Sequence, residues 1–239
     1  MVLTLPVREV TAATPRAAIV RLDLNGDFSY RAGQAVLVGR AGQGLRRPYS
    51  IAIAPHEARQ RSQLEILVGV DERGSPGAHL PELASGVRVD VEGPVGSFHL
   101  PAAPTRRDFL FVAGGTGVAP LRAMLHEALA RDEGWRLALL YSARRPDEFA
   151  YADELQRLAL DGVITLRQTV TGPEHATWAG TRGRITRSLV EELAGERTLC
   201  FVCGPHAFVE AMVPLLRGAG APPQHIHVED WGAPEPQRT

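Results

Sequence analysis

Residues 108–113, Asp-Phe-Leu-Phe-Val-Ala, form a continuous apolar run that ends in Gly114-Gly115-Thr116-Gly117-Val118-Ala119-Pro120. A strand without polar alternation has to be buried on both faces, the condition of a strand inside a parallel sheet. The segment after it reads as a helix, because Leu121, Met124, Leu125, Ala128 and Leu129 recur at helical spacing and build one apolar face. From there the chain alternates. Strands are expected at 136–141, 163–170, 199–203 and 226–231, with helices at 147–160, 186–193 and 206–219. Pro214 falls inside the last helix and is expected to kink it or displace an early turn. Five alternating units predict an α/β fold with a doubly wound, five-stranded parallel sheet.

The chain has a different character before residue 105. Val20-Arg21-Leu22-Asp23-Leu24 and Val87-Arg88-Val89-Asp90-Val91 alternate apolar with charged residues, the mark of strands covered on one face. Further strands are expected at 33–38 and 64–70, and a short helix at 76–84. Gly and Pro punctuate these runs closely, as in an antiparallel barrel or sandwich. Pro101-Ala102-Ala103-Pro104 reads as a stiff connector. The expected domains are therefore residues 1–104 and 105–239.

A glycine-rich turn between a buried strand and its helix lets a phosphate approach backbone N–H groups at the positive end of the helix dipole. Pro120 suits the first helical turn, where its missing N–H costs nothing. The placement of Gly115, Thr116, Gly117 and Pro120 after the first strand of the sheet favours a dinucleotide over a bare structural turn. Their spacing is not that of the six-residue glycine fingerprint of ordinary dehydrogenases.

Charge excludes other classes. Basic residues number 26 against 27 acidic ones, too balanced for a dedicated nucleic-acid binder. Every basic side chain is arginine, so neither a lysine Schiff base nor a phosphate-loop lysine is available. No apolar run reaches the ~20 residues of a membrane span. Two cysteines make no disulfide scaffold, which favours a reducing cytoplasm. Cys200 and Cys203, three apart on a strand, point to opposite faces and cannot readily close a disulfide or share a metal. His225 and His227 lack a third candidate ligand nearby, so no metal site is expected.

Arg47-Pro48-Tyr49-Ser50 lies in the antiparallel half. An arginine fork can hold a phosphate, an aromatic can cover a planar ring, and a hydroxyl can bond that ring's edge. Taken alone, Arg and Tyr on a strand are more often surface and packing residues. The order of motifs adds information. A barrel carrying R-x-Y-S, then G-G-T-G-x-A-P after the first parallel strand, then Cys203-Gly204-Pro205 after the fourth, resembles the ferredoxin–NADP⁺ reductase family over residues 3–231.

That resemblance implies a six-stranded antiparallel flavin-binding β-barrel, an NAD(P)-binding α/β domain, and FAD between them. It assigns Arg47 to the FAD pyrophosphate, Tyr49 to the isoalloxazine or ribityl chain, and Ser50 to flavin N5, with Pro48 between them. The backbone of 68–70, from Val68 to Val70, is expected to reach the flavin ring. The second flavin-phosphate motif departs from the family pattern. In Gly74-Ser75-Pro76-Gly77-Ala78-His79-Leu80, Gly77 stands where the family has Ser or Thr, and Ser75 is the candidate replacement for that hydroxyl.

Cys203, Gly204 and Pro205 occupy the family's place beside the nicotinamide. The terminal His227-Val228-Glu229-Asp230-Trp231 resembles the family's closing Glu-x-aromatic motif. It implies that Trp231 covers the flavin face and that Glu229 lies near Ser50 on a proton route. Ser50, Cys203 and Glu229 are thus the expected catalytic residues. Ser142, Arg144 and Arg184 lean the nucleotide toward NADPH, since no acidic residue ends the second strand to receive a ribose diol. The same arginines also read as solvated surface residues.

The expected activity is hydride transfer between NAD(P)H and flavin N5, followed by single-electron transfer to a ferredoxin, flavodoxin or oxygenase component. Reduction of free flavin, or a regulatory module that binds flavin and nucleotide without turnover, are the alternatives. The sequence sets no oligomeric state.

Overall fold

A computed structural model describes residues 2–80, 83–104, 106–173 and 178–230. The first half is built from β1 (Val2–Thr14), β2 (Ala17–Asp23), β3 (Ala35–Arg40), β4 (Arg47–Ser50), helix α1 (Pro55–Arg61), β5 (Gln63–Gly69) and β6 (Arg88–Val95). The six strands pair antiparallel in the order β4-β3-β6-β1-β2-β5, and a bridge between Ile51 and Ile66 joins the two ends into a barrel. Alternation drives this arrangement: along β2, Val20 and Leu22 enter the barrel core, while Arg21 faces outward to pair with Glu9 and Glu65.

One expectation fails in this half, and one element was not expected. Residues 76–84 are not helical where described: Gly77–Leu80 forms a turn, closed by Leu80 N–H donating to the Gly77 carbonyl. Gly74 and Gly77 have φ of 78° and 109°, a backbone that cannot continue as a right-handed helix. The helix lies earlier, at α1. Pro55 occupies its first turn, and Glu57 accepts the Ala54 N–H at 3.3 Å, so its N-terminal signal was in the sequence.

The second half contains β7 (Asp108–Gly114), α2 (Val118–Arg131), β8 (Arg136–Ala143), α3 (Ala152–Leu160), β9 (Thr165–Val170), β10 (Thr181–Arg182), α4 (Arg187–Glu191), β11 (Thr198–Gly204), α5 (His206–Gly218) and β12 (Ile226–Asp230). All pairings are parallel, in the order β10-β9-β8-β7-β11-β12. The sheet has six strands, not five. The extra one, β10, is two exposed polar residues at the sheet edge, without an apolar run to announce it. Pro214 lies within α5, which continues on both sides of it.

The sheet separates two apolar layers. Phe109, Phe111, Phe201 and Cys203 join α2 on one side; Leu110, Val112, Cys200 and Val202 join α4 and α5 on the other. The two cysteines therefore occupy opposite faces, as their spacing requires, and form no disulfide. Burial pushes the Cys200 thiol up to about 12.

The halves are locked by a buried ionic cluster. Arg122 of α2 donates to the Ala52 carbonyl at 2.5 Å and to Glu65 at 3.3 Å, both in the barrel, and to Glu154 of α3 at 2.7 Å. Tyr151 donates to Glu65 at 3.1 Å, and its ring lies under the Arg122 guanidinium. Arg131 ties the connector down by donating to the carbonyls of Pro101 and Ala102. The sheet's C-terminal edge is thereby fixed against the barrel.

Candidate active site

Strand order reverses at β7: the chain leaves it for β8 on one side and later returns to β11 on the other. Such a switch point opens a crevice at the carboxyl ends of the strands. Here the backbones come unusually close. A side chain at Gly117 would stand 2.2 Å from the Cys203 carbonyl, and one at Gly204 would stand 2.7 Å from the Phe208 ring. Glycine at these places lets the β7–α2 turn and the β11–α5 turn meet.

The crevice has a volume of about 550 Å³ and brings together Gly115, Thr116, Ser142, Arg144, Arg184 and Pro205 of the expected nucleotide site. Gly117, Pro120, Cys203 and Gly204 do not line it. Sequence reading missed Thr14 and Arg16, which the β1–β2 hairpin of the barrel carries into the same crevice, and Glu148, which follows β8. The Thr14-Pro15-Arg16 turn was visible as a turn, but nothing local showed where its tip would rest.

A second junction lies where the barrel meets β11 and β12. Ser50, buried at the end of β4, donates from Oγ to Glu229 Oε2 at 3.0 Å. The Cys203 thiol lies 3.8 Å from that same oxygen. β11 and β12 hold Cys203 and Glu229 in direct register, so the pairing across the sheet sets this contact. His206, at the start of α5, binds Asp230 and secures the end of β12 beside Glu229. The three expected catalytic residues are thus brought together from two domains. Trp231 lies outside the described residues.

The barrel side carries the residues expected to meet a planar ring. Among the described residues, Ile51–Ile66 is the single bridge between β4 and β5, so the edges at Tyr49–Ser50 and 67–69 are not joined to each other. Val68 turns its side chain into the barrel core, leaving backbone rather than side chain on this edge. Arg47 and Pro48 are exposed, Tyr49 is half-buried, and Ser50 points inward. Gly74 and Ser75 sit in the loop after β5, where Asp71 accepts the N–H groups of Arg73 and Ser75 at 2.9 Å. The exposed guanidinium, aromatic ring and open backbone edge fit a flavin, and the crevice lined by Gly114, Gly115 and Thr116 fits a dinucleotide. No cluster among the described residues is suited to hold a metal ion.

Residues 4–100 match the family described as oxidoreductase FAD-binding domain, and residues 111–213 the one described as oxidoreductase NAD-binding domain. Over 219 residues the chain is 35 % identical to ferredoxin–NADP reductase B of Sorangium cellulosum, a match covering 85 % of this chain and 86 % of that one. The chain belongs to the ferredoxin–NADP reductase family. This reductase is an oxidoreductase that uses FAD and NAD(P)H. It is also 30 % identical over 247 residues to the reductase subunit of an Amycolatopsis aromatic O-demethylase, covering 95 % of this chain and 71 % of that one. The crystal structure of the Amycolatopsis cytochrome P-450 reductase GcoB superposes on the reductase with a TM-score of 0.87 at 29 % identity. That match covers 98 % of this chain and 70 % of the other.

Proposed function

We propose that this reductase takes hydride from NADPH and delivers electrons to a separate acceptor protein, a ferredoxin, flavodoxin or oxygenase component. Relatives named as a ferredoxin reductase and as a demethylase reductase subunit support an acceptor of this kind. The observation that carries the reading is the Ser50–Glu229–Cys203 junction, which joins a flavin-type opening to a nucleotide-type crevice. FAD bound there supplies hydride acceptance at N5 and release of electrons one at a time.

The protein's part is alignment and proton handling. Arg47 and the loop of Gly74, Ser75 and Gly77 hold the flavin phosphates, Tyr49 covers the ring system, and the backbone of Val68 and Val70 meets its edge. Ser50 presents its hydroxyl to the flavin, and Glu229 accepts from that hydroxyl, so a proton can pass along Ser50 Oγ. Gly115, Thr116, Gly117 and Pro120 receive the nucleotide pyrophosphate at the start of α2. Cys203, Gly204 and Pro205 flank the nicotinamide, and Trp231 covers the flavin face that nicotinamide must reach. Ser142, Arg144 and Arg184 hold the 2′-phosphate, which favours NADPH over NADH.

The division at residues 104 and 105 belongs to this reading and falls between the two matched ranges, 4–100 and 111–213. Two cysteines without a disulfide are in keeping with a reducing cytoplasm, and no described helix is long and apolar enough to cross a membrane. The test is acceptor reduction under anaerobic conditions. NADPH should reduce a ferredoxin, flavodoxin or oxygenase component in the presence of catalytic amounts of the reductase. Reduction of small dyes alone, with none of these proteins reduced, would contradict the proposal.

A further inference from the structure

Gly77 removes a hydroxyl from the flavin-phosphate loop, and most of the N–H groups around it are already committed within the loop. The N–H groups of Arg73 and Ser75 are taken by the Asp71 carboxylate, that of Gly74 by the Asp71 carbonyl, and that of Gly77 by Ser75 Oγ at 3.2 Å. A buried side-chain nitrogen beside the loop is also uncommitted. His79 is 1 % exposed, its Nε2 lies 2.5 Å from the Tyr49 hydroxyl, and its Nδ1 is buried without a hydrogen-bond partner. A side chain built on Gly77 would meet that Nδ1 first, at 3.7 Å, and nothing beyond the His79 ring within 4 Å. The space vacated by the missing hydroxyl therefore opens onto the unused nitrogen.

The proton's place follows from the surroundings. Burial and the Arg47 charge hold His79 below its ordinary value, so the imidazole is neutral. Burial pushes the Tyr49 phenol up to about 12, so it keeps its proton and donates. With Tyr49 O–H donating to Nε2, the single imidazole proton sits on Nδ1. A buried N–H without an acceptor is costly, and an anion placed at Gly77 would relieve it.

We propose that His79 binds a flavin phosphate through Nδ1–H in place of the hydroxyl lost at Gly77, while its Nε2 holds the Tyr49 ring in position. The inference rests on the flavin reading above and adds to it a residue at a variable position of the motif. A phosphate on Nδ1 makes Nε2 a better acceptor, so phosphate capture tightens the hold on Tyr49, whose ring is tilted only 19° from the imidazole. Phosphate recognition and orientation of the flavin-covering ring become one event.

The experiment measures dissociation constants of FAD, FMN and riboflavin for the full chain, wild type and variants, by flavin fluorescence. His79→Phe should weaken FAD and FMN by about 10–100-fold, the size of one hydrogen bond to an ionised group, and riboflavin by less than about threefold. His79→Asn keeps a donor near Nδ1 and should hold FAD within about threefold of wild type; His79→Gln keeps only the Nε2 position and should behave like His79→Phe. Should His79→Phe not fold, the Asn and Gln pair carries the comparison. Equal loss of FAD and riboflavin, or Asn no better than Gln, assigns His79 to packing and overturns the proposal. A wild type that binds FAD as tightly as its His79→Phe variant overturns this inference alone; a wild type that binds none of the three flavins overturns the flavin reading with it.

Discussion

Ser50 and Glu229 are 179 positions apart in the chain and 3.0 Å apart in space, one at the end of a barrel strand and the other on the edge strand of the parallel sheet. The bond joins the barrel to the parallel sheet, and in the proposed reading it marks the junction of flavin and nicotinamide. Its partners are a hydroxyl that donates and a carboxylate that accepts, with the Cys203 thiol against the same carboxylate oxygen.

Glu229→Gln and Ser50→Ala should each slow reduction of bound FAD by NADPH, by about 10²-fold, the lower end of what positioned acid–base groups supply. Stopped-flow absorbance of the flavin under anaerobic conditions measures this. The double variant should be little slower than either single one, because the two side chains act through one bond.

Arg184→Ala and Arg144→Ala should raise the KM for NADPH by about 10–100-fold, as expected for loss of a bond to an ionised phosphate, and leave that for NADH within about twofold. Steady-state dye reduction with both nucleotides reports it. Equal effects on the two would remove the 2′-phosphate role.

Arg122→Met should destabilise the fold by about 3 kcal/mol, the low end for breaking a buried ion pair. The low end is expected because Glu65, 2 % exposed, keeps Arg21 at 2.8 Å and Tyr151 at 3.1 Å. Urea denaturation gives the difference, and its slope shows whether the two domains still unfold together.

The same cluster sets a pH window. Burial opposes ionisation of Glu57 and Glu154, but hydrogen bonds from His126 and the charge of Arg122 overcome it, and both carboxyls fall from 4.5 to about 2. Their contribution is present above about pH 4.5 and lost as pH falls toward 2. Burial also opposes the charge on His126, yet bonds to Glu154 and Glu57 raise it above 6.5. Its contribution is complete below pH 6.5 and lost as pH rises beyond. Stability from this cluster should therefore be greatest between about pH 4.5 and 6.5. Glu154→Gln should flatten the acid limb of a stability–pH profile; an unchanged limb would mean that other carboxylates control acid unfolding.

What could be read in the sequence was whatever has a local period or a local motif. The unbroken run of β7 declared a parallel sheet, and the glycines behind it declared a close approach of backbones. β10 had no such signal, since two polar residues pair at an edge only because the chain returns there. The helix predicted at 76–84 failed at Gly77, whose positive φ outweighs a favourable apolar pattern. Ser50, Cys203 and Glu229 were accessible through the family motifs. Arg16 and Arg122 were not, because their roles depend on contacts between domains: Arg122 reaches Glu65 across 57 positions and Ala52 across 70. His79 was visible only as the neighbour of an anomalous glycine, and its uncommitted nitrogen is a fact of three-dimensional packing.

The central claim is that two coenzymes meet at the junction of the barrel and the parallel sheet. Anaerobic titration of the purified, FAD-reconstituted chain with NADPH, followed through the visible flavin absorption, tests it most directly. The account predicts a yellow protein that bleaches fully with one NADPH per bound FAD. A chain that takes up no FAD, or one whose bound FAD stays oxidised under excess NADPH and NADH, would contradict it.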